Sequence, residues 1–227
     1  MTSLGCALDA LRGLRDDARA ARMAAYHKVP RAYLGVQVPE IAALVAAWRA
    51  GATVEARVAL AAGLWDSDIH EARVAAAKLL TQARLRPDEN AWALIASWVP
   101  QFDGWALADH ACAAGSRRLV ADPARLDQVE VWTRAPSLWV RRAALVMTLP
   151  WAKFSHPKPD DLARRDRILG WVAGYVSDRD RFIQKAAGWW LRDLSRHDPD
   201  RVRAFLAEQG AAMRPLARRE AARHLSA

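Results

Sequence analysis

The stretch EARVAAAKLL, residues 71–80, opens on a charged residue, continues with small residues and closes on larger apolar ones. Its apolar positions recur at helical spacing. The same order returns in VRRAALVMTL (140–149), IQKAAGWWLR (183–192) and ARREAARHLS (217–226). WALADHACAA (105–114) fits between the first two, with Asp109 and His110 as its polar pair. Recurrence at roughly 35–45 residues is what two-helix HEAT-type repeats need. Small residues let helices cross closely, and the charged positions are expected to line a common face. The fold class that follows is all-α: an α-α superhelix, or solenoid, of HEAT-like two-helix repeats with a concave binding face. It is expected to run as a single domain over residues 1–227. An ordinary Ala-rich helical bundle is the competing arrangement.

Outward from these stretches, strand signals are nearly absent and helices account for most of the chain. PEIAALVAAWRA (39–50) places Pro39 at a first helical position. DSDIHEARVAAAKLLTQA (66–83), PDENAWALIASWVP (87–100) and DPARLDQVEVWTRA (122–135) each begin with capping residues or Pro. Helices are likewise expected over 137–150, 160–177, 180–197, 198–210 and 214–227. The short links between them favour antiparallel neighbours.

The 227 residues are 52% hydrophobic, enough for a packed core and too many for disorder. A net charge of +9 attracts polyanions, and nucleic acid is the first partner to consider. Cys6 and Cys112 make no disulfide framework and suit a reducing cytoplasm. SLGCA (3–7) lacks the basic and apolar segments of a lipoprotein signal, and Asp9, Arg12, Arg15 and Asp16 follow it closely. No apolar run is long enough for a membrane span. A cytoplasmic, nucleoid-associated protein is the expectation, acting as a monomer.

Within FDGWALADHACAAG (102–115), Trp105 and Asp109 stand at i,i+4 and project from one helix face. An isolated pair of this kind is ordinarily structural. Arg141 and Arg142 occupy the early part of a later repeat helix, and Lys185, Trp189 and Trp190 that of the next. In a solenoid a carboxylate would then face cations and indoles. Consecutive helical residues diverge by about 100°, so one of Trp189 and Trp190 packs while the other faces the groove. His110 and Cys112 point apart at i,i+2, and no zinc site is expected. No phosphate loop, nucleotide fingerprint or catalytic Ser or Cys triad is present, so no cofactor is expected.

These residues resemble the AlkD-type DNA glycosylases, HEAT-like-repeat enzymes that excise alkylated bases. The resemblance covers residues 20 to 225 and rests on MAAYHK followed by YLGVQVPE, LWDSDIHEARVAAA, the Trp-x-x-x-Asp of WALAD, LWVRRAAL, FIQKAAGWWLRD and PLARREAARHL, in that order. It implies double-stranded DNA with alkylated bases as partner, and hydrolysis of the N-glycosidic bond of cationic purines such as 3-methyladenine and 7-methylguanine. It also implies a catalytic set of Asp109, Trp105, Trp189 and Arg142. Asp109 would stabilise the oxocarbenium-like sugar and position or deprotonate water, the two indoles would contact the deoxyribose, and Arg142 would hold a backbone phosphate. DNA contacts fall on Tyr26, Gln37, Arg141, Lys153, Lys185, Arg192, Arg218 and Arg219. The family works from the backbone side, without a pocket for a flipped base. The chain departs from its pattern in two places: FDG (102–104) stands where a polar or aromatic run precedes the Trp, with Ala106 and Ala108 between Trp and Asp, and Pro150 stands where basic residues are expected. A non-catalytic helical-repeat scaffold that binds nucleic acid or protein is the alternative.

Overall fold

A computed structural model describes residues 2–225. It is all-α, with no named strand among the described residues. The chain forms two compact units, Met1–Ala121 and Asp122–Ala227.

The first unit holds α1 (Leu4–Gly13), α2 (Asp17–His27), α3 (Val38–Arg49), α4 (Val54–Asp66), α5 (His70–Leu79), α6 (Glu89–Trp98) and α7 (Trp105–Ala121). Of these, α5 packs on α3, α4 and α7, and α6 on α4 and α7. The Ala-rich repeat motif on α5 makes this possible, since every residue of the helix except Lys78 is buried. Beside it, the indoles of Trp65 and Trp98 stack at 4.2 Å and 5°, joining the ends of α4 and α6.

The second unit holds α8 (Leu126–Trp132), α9 (Leu138–Met147), α10 (Leu149–Lys153), α11 (Pro159–Gly174), α12 (Arg181–Ser195), α13 (Pro199–Gln209) and α14 (Pro215–Ala221). Here α12 is the hub and packs on α9, α10, α13 and α14. Gly188 sets its approach to α14, because a Cβ there would lie 3.1 Å from the Ala217 carbonyl oxygen and 3.2 Å from its Cα. N-caps mark the turns: Asp180 accepts from the amides of Phe182 and Ile183, and Asp198 from that of Arg201. The repeated motifs therefore sit on the helices that pack against their own counterparts, α5 with α7 and α9 with α12 with α14.

The charged and amide residues of those motifs do not all line an open face, as the pattern suggested. Glu71 is fully buried and accepts from the amides of Leu34 at 2.9 Å and Gly35 at 2.7 Å. Gln184 is buried too, and its amide nitrogen donates to the carbonyls of Tyr175, Val176 and Asp178. Arg73 donates to the carbonyl of Trp65, and Arg165 to those of Trp151 and Phe154. The links between helices leave peptide groups that no helix satisfies. These buried side chains take that role. Gly35 completes one such joint with φ +79°, where a Cβ would fall 2.2 Å from the Asp16 carbonyl oxygen.

Three other boundaries differ from the sequence expectation. Residues 122–135 form a 3-10 turn, Pro123–Arg125, before α8. Residues 137–150 break at Thr148 into α9 and α10, with Pro150 near the start of the latter. Asp66 closes α4 rather than opening α5.

Candidate functional site

In the first unit, two segments remote in sequence, 26–33 and 68–70, converge on the start of α7. The Trp105 ring meets Tyr26 edge-on at 5.8 Å and His27 edge-on at 5.8 Å. His27 lies 4.8 Å from His70, and Tyr33 stacks on His70 at 5.0 Å. The rings of His27, Tyr33, His70 and Trp105 line a shallow open cleft together with Arg31 and Asp103. Arg31 fastens its rim, donating from Nε to Asp68 and from Nη2 to Asp103, each at 2.7 Å.

Burial makes this an uncharged floor. It lowers His70 to about 3, helped by the positive fields of His27, Arg31 and His110. It also lowers His27, against the opposing pull of Glu71. His110 goes down by burial and by Lys78, with Asp109 opposing. At neutral pH the imidazoles are neutral and behave as aromatic packing. Arg31 keeps its charge.

Asp109 lies one turn beyond Trp105 on α7 and is half-buried, as is Trp105. The intervening Leu107 and Ala108 are buried at 2% and 1%, so this turn of α7 is anchored from behind. Tyr26 is 69% exposed, edge-on to Trp105. Gln37 is exposed at the start of α3, its amide held by Glu40.

In the second unit, Trp190 is fully buried and Trp189 half-buried, in keeping with one indole packing and the other facing outward. Trp189 Nε1 donates to Asp193 Oδ2 at 3.0 Å. Lys153 Nζ lies 3.3 Å from the same oxygen, with its side chain 52% exposed. Arg192 holds Asp193 Oδ1 at 3.1 Å and also pairs with Glu220. Those hydrogen bonds outweigh burial and raise the Arg192 pKa further. Arg142 is buried on α9. Arg141 donates to the carbonyls of Ala135 and Pro136 and pairs with Asp178 at 3.2 Å. Lys185, Arg218 and Arg219 are exposed.

The candidate residues thus gather within their own units: Tyr26, Trp105 and Asp109 in the first, Lys153, Trp189 and Arg192 in the second. Sequence reasoning passed over His27, Tyr33, His70 and Arg31, whose convergence no local pattern announces. It also passed over Asp193, although Trp189 and Asp193 repeat the Trp-x-x-x-Asp spacing of Trp105 and Asp109. Among the described residues, no helix is long and apolar enough to cross a membrane. Nor does any group of three His, Cys, Asp or Glu stand where it could hold a metal ion.

Residues 7–225 match a family described as DNA alkylation repair enzyme. No curated protein matches the chain. Among solved structures, a predicted DNA alkylation repair enzyme from Enterococcus faecalis is similar, with TM-score 0.77 and 24% identity over 93% of this chain and 97% of that one. AlkD2 from Streptococcus mutans is similar with TM-score 0.62 and 18% identity, over 93% of this chain and 99% of that one. A second protein from Streptococcus mutans UA159 has TM-score 0.62 and 18% identity, over 83% and 93% of the two chains. These likenesses carry the helical-repeat fold.

Proposed function

Because the chain belongs to the DNA alkylation repair enzyme family, we propose that it is a monofunctional glycosylase for cationic alkylpurines in duplex DNA. The observation that carries this reading is a half-buried carboxylate, Asp109, one turn from an indole, Trp105, that two neighbouring rings hold in place.

A purine alkylated at N3 or N7 carries positive charge and is already a good leaving group. Breaking its glycosidic bond moves positive charge onto the deoxyribose. A fixed carboxylate stabilises that charge more than it stabilises the ground state, and it can also orient or deprotonate the attacking water. Asp109 takes this role. Trp105 offers a π face to the developing cation, and its Tyr26 and His27 contacts keep the ring from turning away. Trp189 contacts the deoxyribose, and Arg142 holds a backbone phosphate. Tyr26, Gln37, Lys185, Arg218 and Arg219, all exposed, supply further backbone contacts, together with Lys153, Arg192 and Arg141. The enzyme works from the backbone side without extruding the base, as a cytoplasmic monomer with no cofactor, and the whole chain serves as one repeat array.

Release of free 3-methyladenine or 7-methylguanine from methylated duplex DNA, measured for the parent and for Asp109→Asn, tests the proposal. Release by the parent alone places the chemistry at Asp109. Equal release by both sinks the mechanism. No release from either, with salt-sensitive DNA binding intact, assigns the chain to the non-catalytic scaffolds.

A further inference from the structure

Asp193 lies on α12 one turn beyond Trp189 and is 7% exposed. Its two oxygens are occupied by three side chains. Oδ2 accepts from Trp189 Nε1 at 3.0 Å and pairs with Lys153 Nζ at 3.3 Å, while Oδ1 takes the Arg192 guanidinium at 3.1 Å. All three partners are residues that the glycosylase reading places against DNA. The carboxylate itself is sealed beneath them and has no oxygen left over for a substrate.

We infer that Asp193 is the positioning residue of the second unit: it fixes the plane of the Trp189 indole and gathers Lys153 and Arg192 beside it. This inference rests on the glycosylase reading. An indole that only fills space needs no hydrogen bond, and here the bond determines which way the ring faces. Lys153 comes from α10 and Arg192 from α12. One buried anion therefore sets the spacing of two cations on different helices. Arg192 has a second anchor in Glu220 on α14 and stays near its place without Asp193. Trp189 and Lys153 have no comparable substitute among the interactions above. Loss of Asp193 therefore falls mainly on the orientation of the indole.

Two measurements test this. The first needs no activity. The indole N–H resonance of Trp189, identified by its loss in Trp189→Phe, shifts in Asp193→Asn because a neutral amide replaces the charged acceptor. An unmoved resonance overturns the inference whether or not the protein is an enzyme. The second is single-turnover base release from methylated duplex DNA. Asp193→Ala slows release on the order of tenfold, within the hundredfold that a misplacement of about 1 Å costs. Its DNA affinity changes less than its rate, staying within a few fold of the parent's, since Lys153 and Arg192 keep their charges. Asp193→Asn keeps an acceptor for the indole and retains most of the rate. In a Trp189→Phe background, which has no N–H to hold, Asp193→Ala adds little further loss. Equal rates for Asp193→Ala and an active parent overturn the inference. So does an equal loss in both backgrounds. A parent that releases no base overturns the glycosylase reading alone, and the indole resonance then decides whether Asp193 holds the ring.

Discussion

Asp109 and Asp193 stand in the same relation to an indole, one turn after Trp105 and Trp189. Asp193 is 7% exposed and takes donors from three side chains of its own unit, whereas Asp109 is half-buried on α7. Asp109→Asn is expected to lower base release by about a hundredfold or more while leaving DNA affinity within a few fold. Arg142→Ala is expected to weaken both, and binding isotherms run beside single-turnover rates separate the two cases. Acidity acts at the same scale. Burial pushes the His70 pKa down to about 3 in the folded chain, far below the ordinary imidazole value of about 6.5, so the unfolded chain binds the extra proton between those values. Stability is therefore complete above pH 6.5 and falls as pH drops toward 3, by up to about 1.4 kcal/mol per unit for this one group. His27 and His110 are shifted the same way. Melting temperatures between pH 7 and 4.5 should fall less steeply for His70→Gln than for the parent; identical slopes would mean that His70 is not the group being titrated. The Trp105–Asp109 pair was legible because four residues make one helical turn. The cluster of His27, Tyr33 and His70 was not, because segments about forty residues apart bring it together.

At the scale of elements, the caps and prolines carried most of the reading. Asp180 and Asp198 cap where the sequence placed helix starts, and Pro39 lies in the first turn of α3. What escaped were α1, α2 and α4, the first two despite apolar stripes of their own. α4, running VEARVALAAGLWD, packs against α1, α5 and α6 and has no single apolar stripe to announce it. The polar leads of the repeat motifs were visible, but their direction was not. Glu71 and Gln184 turn inward to satisfy the peptide groups of a link, a demand that exists only once neighbouring helices have closed over it. Glu71→Ala leaves two buried amides without their acceptor, and a loss of about 2–5 kcal/mol in urea unfolding is expected. Gly188→Val drives branched bulk into the Ala217 backbone and should cost about 1–3 kcal/mol. An unchanged midpoint in either variant would mean that the helices part more readily than their packing implies.

For the whole molecule, the order of five recurring motifs foretold an all-α repeat fold, and the excess of 34 Lys and Arg over 25 Asp and Glu pointed toward a polyanion. Many of those arginines proved to be internal ties, including Arg73, Arg118 and Arg165, all buried. Total charge therefore overstates the cations free to meet DNA. Replacing exposed Arg218 and Arg219 together by Gln should weaken binding alike on damaged and undamaged duplex. It should also flatten the plot of log affinity against log salt by about two phosphate equivalents; an unchanged slope would remove both residues from the interface. The stacked pair Trp65 and Trp98 has a different use. Two parallel indoles 4.2 Å apart couple their electronic transitions, so they should give a circular-dichroism couplet that isolated tryptophans lack. The pair lies wholly within Met1–Ala121, which makes it a built-in optical reporter on that unit. Followed through a denaturant titration beside the helical signal of the entire chain, the couplet reveals whether the two units melt as one cooperative body or in succession.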